Sequence, residues 1–296
     1  MRDRVLTALS RLAAGSVLVV LVGMLPWLSG RDPARSILRA QYGERDPDPA
    51  ALAAVRERLR LDDGPVMLFG RWLAGLSRGD LGTSWVSGSP VGPTVWRAFG
   101  VSLTLMGVAL VVALVVAALL VARGLVRGHA QLRAGGTGAA LAAVPEFLLG
   151  TVLLLVGAVW LRWAPPFGWS GPAYLVLPAL ALGIPAGGLL GRLADDALPG
   201  AYREPWVRTW RAAGLPGRTL AYGALRRCLP PLFPQVALVV VGLTGGAVAV
   251  EVLFSIPGLG RVALGAATAQ DLPLLQGAVL MLLALSVTAG ALAAAA

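Results

Sequence analysis

Long uncharged stretches alternate with short arginine-bearing ones along this chain of 296 residues. Each uncharged stretch is close to or longer than the ~20 apolar residues that cross a ~30 Å hydrocarbon core as a helix. None alternates polar and apolar positions with period two, so the pattern does not favour a β-barrel. We predict six transmembrane helices, in the uncharged runs 12–30, 101–122, 134–161 (interrupted only by Glu146), 163–191, 228–250 and 272–296.

Arginine placement predicts the orientation of these helices, because loops rich in Arg and Lys stay on the cytosolic side. With the N-terminus inside, the cytosolic segments carry three arginines before the first run, three in 123–133 and seven in 192–227. The two short outside loops then hold only Arg162 and Arg261. The first run is long for a signal peptide and no small-x-small cleavage site follows it, so we expect it to remain as a span. Both termini are therefore expected in the cytosol.

Composition narrows the possible chemistry. Charged residues make up 14% of the chain, against roughly 25% in soluble domains. The net charge of +10 is read mostly as a topology signal, and nucleic-acid binding is the weaker interpretation. Every basic residue is arginine, so a P-loop lysine or a Schiff base cannot occur. His129 and Cys228 are the only residues of their kinds, which excludes a Cys–His zinc cluster and an intrachain disulfide.

Residues 31–99 form the one sizeable region outside the predicted membrane core. Asp48 followed by Pro49 is typical of a helix start, and the apolar spacing over 51–61 predicts an amphipathic helix there. A second helix, with Leu68, Trp72, Leu73 and Leu76 on one face, is predicted to begin after Gly64-Pro65. This region is either a structural cap on the membrane helices or a surface that contacts an external partner.

Glycines and acids are the candidates for special roles within the predicted core. Gly183, Gly187 and Gly191 recur every four residues and let another helix approach closely, for plain packing or at a moving gate. Glu146 follows a proline inside the third run and is expected to face the bundle interior, lining a pathway or satisfying backbone groups that the proline frees. Glu251 is expected to accept hydrogen bonds from the glycine-containing turn after it, with a pathway role left open.

A polar loop, 195–231, lies between the fourth and fifth runs and contains the arginine-rich segment, residues 203–214. Pro205 and Pro216 bracket this segment and would keep a helix within it short. A cationic amphipathic helix with exposed tryptophans suits a partner protein better than water. We therefore expect a docking surface on the cytosolic side.

Three motif-like stretches follow one another along the chain. The first is Arg78-Gly-Asp-Leu-Gly-Thr-Ser84, preceded by Leu61-Asp-Asp-Gly-Pro65. The second is Arg208-Thr-Trp-Arg-Ala-Ala-Gly-Leu215. The third is Glu251-Val-Leu-Phe-Ser-Ile-Pro-Gly-Leu-Gly-Arg261, followed by Asp271-Leu-Pro-Leu-Leu-Gln-Gly277. Together they resemble the inner-membrane permease subunits of bacterial ABC importers for dipeptides, oligopeptides and nickel.

The resemblance implies an all-α membrane protein with the type I ABC importer permease fold. That fold has six transmembrane helices, cytosolic termini and an external helical insertion after the first span. The implied partners are a second homologous permease subunit, two ATP-binding subunits, an external solute-binding protein and membrane lipid. ATP and Mg would be bound by the partner subunits, and no catalytic site, metal or cofactor is expected in this chain. Such complexes alternate between inward-facing and outward-facing states.

The resemblance also suggests roles for individual residues. The segment departs from the general pattern in having Arg208-Thr209-Trp210 where many importer permeases have Glu-Ala-Ala. The implied ATPase-coupling residues are Glu204, Arg208, Trp210, Arg211, Ala212, Ala213 and Gly214, the last matching the family's loop glycine. The implied external motif consists of Gly79, Asp80, Gly82, Ser84, Pro257, Gly258 and Gly260. The candidates for the translocation pathway or gate are Glu146, Gly183, Gly187 and Glu251.

We divide the chain into an N-terminal segment with the first span (1–30), an external helical region (31–99) and a five-helix core (100–296) that includes the loop 195–231. The expected function is ATP-driven import of peptides across the cytoplasmic membrane, with nickel or a metal chelate as the alternative cargo. A secondary transporter or channel and an intramembrane enzyme are the competing classes. The first would usually show internal repeats and several buried charges. The second would need paired catalytic groups in the spans, and neither feature is found.

Topology reporters test this orientation directly. A reporter fused near Gly79 should be active only outside the cytoplasm, and reporters near Arg127 and Pro216 only inside it, because the arginine-rich loops are retained in the cytosol. Paired alkaline phosphatase and green fluorescent protein fusions measure both outcomes. The opposite pattern would show that the arginine distribution does not set the orientation.

Overall fold

The computed structural model of the chain describes residues 32–43, 48–126 and 134–295, together with scattered positions between 15 and 24. Every named element among these residues is helical, which confirms the predicted all-α class. The predicted first span, 12–30, falls largely outside the described residues.

Eleven α-helices are named here in chain order within the described ranges. They are α1 (Pro33–Tyr42), α2 (Pro49–Leu59), α3 (Gly64–Leu76), α4 (Val91–Val126), α5 (Ala134–Ala142), α6 (Glu146–Leu153), α7 (Ala173–Arg203), α8 (Pro205–Ala212), α9 (Gly217–Leu253), α10 (Leu259–Ala269) and α11 (Leu272–Ala295). Helix α6 continues as a π-helical segment, Leu154–Trp160.

Four of these helices contain a stretch long and apolar enough to cross a membrane, and a bent pair makes a fifth candidate. These spans agree with five of the six predicted uncharged runs. The number six stays a prediction, because the first run is largely outside the described residues. The four spans that are single helices are Val91–Ala122, Ala173–Arg203, Leu232–Leu253 and Leu272–Ala291.

The predicted third span, 134–161, is not one straight helix. Its two parts, Gly136–Ala142 and Glu146–Trp160, meet at an angle of 84°. Pro145 stands at the break with extended backbone angles, φ −62° and ψ 137°. Proline cannot donate to the preceding turn and disfavours helical geometry in the residue before it, so the helix ends and restarts here. Glu146 is therefore the first residue of a helix rather than a mid-helix position.

The predicted polar loop, 195–231, is also wrong in conformation, because nearly all of it is helical. Helix α7 runs on to Arg203, α8 follows after a single residue, and α9 begins at Gly217. Charged residues mark where a helix leaves an apolar environment, but arginine is a good helix former and does not end the helix itself. The arginine-rich segment is thus a short helix held directly between two long ones.

The chain divides into two compact units. The insertion unit comprises residues 1–102 and 257–287, and the core unit comprises 103–256 and 288–296. This division differs from the one drawn from the sequence, which assigned 257–287 to the membrane core. Hydrophobicity along the chain reports which segments are apolar, whereas this grouping depends on which segments pack together.

In the core unit, the glycine-bearing face of α7 packs against the backbone of α4. A Cβ atom built on Gly183 would lie 2.6 Å from the carbonyl oxygen of Ala109, and one on Gly187 would lie 2.6 Å from that of Ala113. A Cβ on Gly191 would meet the Leu120 side chain at 2.6 Å. At Gly183 and Gly187 the atom met is a backbone oxygen, so no larger residue fits there without moving the helices, whereas at Gly191 the Leu120 side chain would have to shift. The predicted close approach at the glycine repeat is therefore present.

In the insertion unit, α2 begins with the cap that its sequence predicts. Asp48 caps α2 by accepting a hydrogen bond from Ala50 N at 3.1 Å, with Pro49 as the first helical residue. Asp32 caps α1 in the same way and also pairs with Arg56 of α2 at 2.5 Å. A buried cluster lies beneath these helices and contains Ala34, Ile37, Leu38, Val55, Leu61, Trp85 and Leu272.

Replacing Gly187 by alanine tests the helix contact. The added methyl group would meet the Ala113 carbonyl oxygen and the Val116 Cβ, both fixed to the α4 backbone, so we expect destabilisation of about 1–3 kcal/mol, the usual cost of overpacking. Gly107→Ala on α4 is the control, since a Cβ there has nothing within 4 Å. Thermal unfolding in detergent compares the two variants. Equal melting temperatures would contradict the close contact.

Candidate partner-binding site

The arginine-rich segment forms helix α8, whose two ends are fixed by local chemistry. Glu204 precedes it in extended geometry, as expected of a residue before proline, and Pro205 is the first helical residue. At the other end, Gly214 N donates to Arg211 O at 3.0 Å and Leu215 N donates to Trp210 O at 3.1 Å. These two bonds form a Schellman cap, which needs a left-handed residue. Gly214 supplies it with φ +73°.

Helix α8 has an inner and an outer face. Val207 is 1% exposed and lies on the inner face. Arg208 is exposed on the outer face, and Arg211, one turn after Val207, is exposed at the edge of that face. Ala212, Ala213 and Gly214 are exposed as well. The residues that the sequence proposed for partner contact therefore lie mostly on one accessible surface.

Trp210 is placed differently from the other proposed contact residues. Its ring is half-buried and packs edge-on against Trp206, with the ring centroids 4.8 Å apart and the planes at 72°. Such edge-to-face pairs stabilise a contact beyond their buried area. Trp210 thus belongs to the attachment of α8 to the core unit rather than to its outer surface.

Trp206 joins α8 to a buried cluster of the core unit. It packs against the residues Val121, Ala194, Leu198, Ala201, Ala224 and Cys228, which come from α4, α7 and α9. The Arg227 guanidinium lies 5.1 Å from the centre of the Trp206 ring and pairs with the Glu204 carboxylate. Glu204, proposed as a coupling residue, is thereby part of this attachment. Trp206 and Arg227 were not predicted from the sequence, although the four-residue spacing of Trp206 and Trp210 places both indoles on one face of a helix.

Cys228 lies within the same cluster and is 3% exposed. Burial raises the pKa of its thiol, and the nearby Glu204 carboxylate raises it further. A thiol with a raised pKa is a poor nucleophile. Cys228 therefore serves as a small packing residue.

Within the insertion unit, Asp271 holds the external motif stretch in place by hydrogen bonds. The Asp271 carboxylate is buried and accepts hydrogen bonds from the Ser84 hydroxyl and from Trp85 N, the latter at 3.0 Å. Gly79 and Gly82 both have positive φ, +78° and +83°, which lets the chain turn twice before Ser84. The first and third motif stretches, far apart in sequence, therefore meet at one carboxylate.

Asp80 and Gly82 stabilise the turn itself through hydrogen bonds within it. Asp80 Oδ1 accepts a hydrogen bond from Gly82 N at 2.8 Å, and Gly82 O accepts one from Val91 N at 2.9 Å. The turn is thus tied to the first residue of α4. Its bonds fix the loop geometry locally, independently of Asp271.

The remaining residues of the third motif stretch fall at a helix start. Gly258 is the N-cap of α10, and Gly258 O accepts a hydrogen bond from Val262 N at 3.0 Å. Pro257 precedes this cap, and Gly260 is a buried residue of the first turn of α10. Glu251 is 1% exposed in the core unit. Its predicted bonds to the turn stay a prediction.

Glu146 lies beside α9 and α7 of the core unit. A Cβ on Gly246 would be 3.2 Å from Glu146 Oε1 and 3.2 Å from Leu182 Cδ2. The carboxylate thus occupies space that a glycine leaves open between helices. Gly183 and Gly187 lie at the α4 contact described above. A pathway or gate role for these residues stays a prediction.

Known proteins resemble this chain over nearly its whole length. A family profile described as "Binding-protein-dependent transport system inner membrane component" matches residues 138–296. The metal-staphylopine import system permease protein CntB of Staphylococcus aureus is 28% identical over 291 residues, covering 96% of this chain and 93% of that protein. The glutathione transport system permease protein GsiC of Pectobacterium atrosepticum is 32% identical over 276 residues, covering 90% and 86%. The chain belongs to this permease family.

Family membership confirms the main sequence-based interpretation. The chain is a membrane-embedded subunit of a binding-protein-dependent ABC importer in the inner membrane. ATP is hydrolysed in such systems by separate ATPase subunits, so this permease is not itself an enzyme. A solute-binding protein and ATPase subunits are the partners that the family implies.

Replacing Asp271 in the permease tests the organisation of the external motif. Asp271→Ala would leave the Ser84 hydroxyl and the Trp85 amide without their buried acceptor, at about 1–3 kcal/mol per unsatisfied group. We expect faster proteolysis within 80–90 and a lower melting temperature. Ser84→Ala should have the smaller effect because the backbone bond remains. Asp62→Ala, at an exposed position, is the control. Equal proteolysis of Asp271→Ala and the control would contradict the assignment.

Proposed function

We propose that this permease forms half of the translocation pathway of an ATP-driven importer for peptides, and that helix α8 receives the motion of an ATPase subunit. The observation that carries this proposal is the two-faced structure of α8. Its inner face is fixed to the core unit by Trp206, Trp210 and Val207, and its outer face presents arginines.

The outer face suits a groove with an acidic rim on a partner protein. Arg208 and Arg211 are exposed there, and the acid nearest in sequence, Glu204, is paired with Arg227 instead. Complementary charge steers a partner and fixes its register. Leu215, which donates the last bond of the Schellman cap, is 39% exposed and adds apolar area beside α8. A groove with acidic edges and an apolar floor would match this surface.

The connections of α8 are suited to transmitting force. Only Glu204 separates it from α7, and residues 213–216 separate it from α9. Both neighbours contain candidate membrane spans. A displacement of α8 would therefore act on two spans at once. The Schellman cap and the indole contacts would limit independent movement of α8 relative to these spans.

Peptide is the cargo that we favour. A relative of this chain is a glutathione permease, and glutathione is itself a short peptide. The alternative is a metal chelate, since another relative belongs to a metal-staphylopine import system. The sole histidine, His129, lies in a predicted loop, so direct coordination of bare metal in the spans is not favoured. The ligand that copurifies with the cognate solute-binding protein would decide between these cargoes.

The complete transporter that we propose contains this chain, a second permease subunit, two ATPases and an external solute-binding protein. ATP and Mg would be bound by the ATPases alone. The chain would cross the cytoplasmic membrane six times with both termini in the cytosol, and α8 would face the ATPases. Exchange between inward-facing and outward-facing states would move the cargo.

Two substitutions in α8 test the coupling role. Gly214→Val forces a branched residue into left-handed geometry, at a cost of about 1–2 kcal/mol, although a Cβ there meets nothing within 4 Å. Arg211→Glu reverses a charge on the outer face. We expect both to abolish transport and stimulation of ATP hydrolysis by the solute-binding protein, while the permease still inserts into the membrane.

Matched controls separate docking from general damage. Gly217→Val adds the same side chain at a nearby glycine without positive φ, and Arg78→Ala removes an exposed arginine in the external motif. Both should keep the ATPase subunits bound during purification. Normal transport by both Gly214→Val and Arg211→Glu would mean that α8 is not the coupling element.

A further inference from the structure

Gly223 lies on the second turn of α9, directly beneath the two tryptophans of α8. A Cβ atom built on it would lie 3.0 Å from Trp206 Cη2 and 3.0 Å from Trp210 Cζ3. These atoms belong to the six-membered rings of the two indoles. The bare backbone of Gly223 therefore forms the surface on which both rings rest.

Trp206 has little freedom to move away from this surface. Its ring packs against the buried cluster that includes Ala224 and Cys228, and the Arg227 guanidinium lies 5.1 Å from its centre. Arg227 is in turn paired with Glu204 at the start of α8. Trp210 is half-buried, as Trp206 is, and its ring packs against the Trp206 ring.

The neighbouring glycines do not share this environment. A Cβ built on Gly200, Gly214 or Gly217 would have nothing within 4 Å. Gly214 is required by its positive φ, whereas Gly223 lies within a regular helix. Glycine in a helix interior costs about 1 kcal/mol relative to alanine. The space that it leaves for the two indoles offsets this cost.

We propose that Gly223 is a positioning residue that sets the distance and tilt of α8 relative to α9, and thereby the direction in which Arg208 and Arg211 face the ATPase. This inference rests on the proposed coupling role of α8. A side chain at position 223 would push on the indoles, and the push would reach the outer arginines through the short helix that carries them.

The test uses the complete transporter in lipid nanodiscs, with the solute-binding protein purified together with the ligand that it carries from cells. Gly223→Val should leave the complex assembled and its basal ATP hydrolysis present. It should lose most of the stimulation by the solute-binding protein, because the helix docks in the wrong orientation. Gly200→Val, also near α8 but with open space at its Cβ, should behave as the unsubstituted transporter.

A compensating substitution separates positioning from mere stability. Gly223→Ala should give a partial loss, since a methyl group at 3.0 Å requires the rings to shift by only a little. The Trp206 indole is held against the buried cluster, and Trp206→Phe removes its ring atoms nearest to the added methyl group. The double variant Gly223→Ala with Trp206→Phe should therefore be stimulated more strongly than Gly223→Ala alone. A purely structural role would change the yield of intact complex and leave stimulation per complex unchanged.

The possible outcomes are distinct. Stimulation of Gly223→Val equal to that of Gly200→Val overturns the proposal, and so does a double variant that is no better than Gly223→Ala. If Gly223→Val is normal while Gly214→Val and Arg211→Glu are inactive, only the positioning role fails. If all three are normal, the coupling role of α8 fails as well.

Discussion

The close approach of α7 to α4 is the contact on which the core unit depends. In lipid, apolar side chains gain nothing by leaving the solvent for one another, so helices associate through van der Waals contact at small residues. Gly183 and Gly187 bring the two backbones so near that a Cβ would lie 2.6 Å from a carbonyl oxygen. Because α7 leads into α8 through Glu204 alone, this rigid helix pair is also the frame that carries the arginine-rich segment.

At helix α8, side chains of the same type have different roles: some attach the helix to the core unit and others are exposed. Arg227, on the adjoining helix α9, is used internally, over the Trp206 ring and beside Glu204, whereas Arg208 and Arg211 are exposed. The tryptophans are likewise turned inward onto Gly223 rather than outward. Attachment through flat, rigid rings costs little conformational entropy, and the exposed charges remain available to a partner. This separation lets one eight-residue helix be both firmly held and accessible.

Much of the fold was predictable because its signals are local. Uncharged runs predicted the positions of the five candidate spans among the described residues, since length and hydrophobicity alone decide whether a helix can cross a bilayer. Asp48 before Pro49 predicted the start of α2. The four-residue glycine repeat predicted a close helix contact. Each of these features is decided by neighbours within one or two helical turns.

The tertiary structure determined which segments that are distant in sequence contact one another. The sequence by itself determined a helical membrane permease, its apolar spans and its short cationic helix. It did not determine that Asp271 would bind Ser84, that Trp210 would turn inward onto Gly223, or that α6 would restart at 84° after Pro145. A periodic pattern records only which face of an element is apolar, small or charged. The partner of that face depends on packing between segments that are far apart in the chain, and only the folded structure settles it.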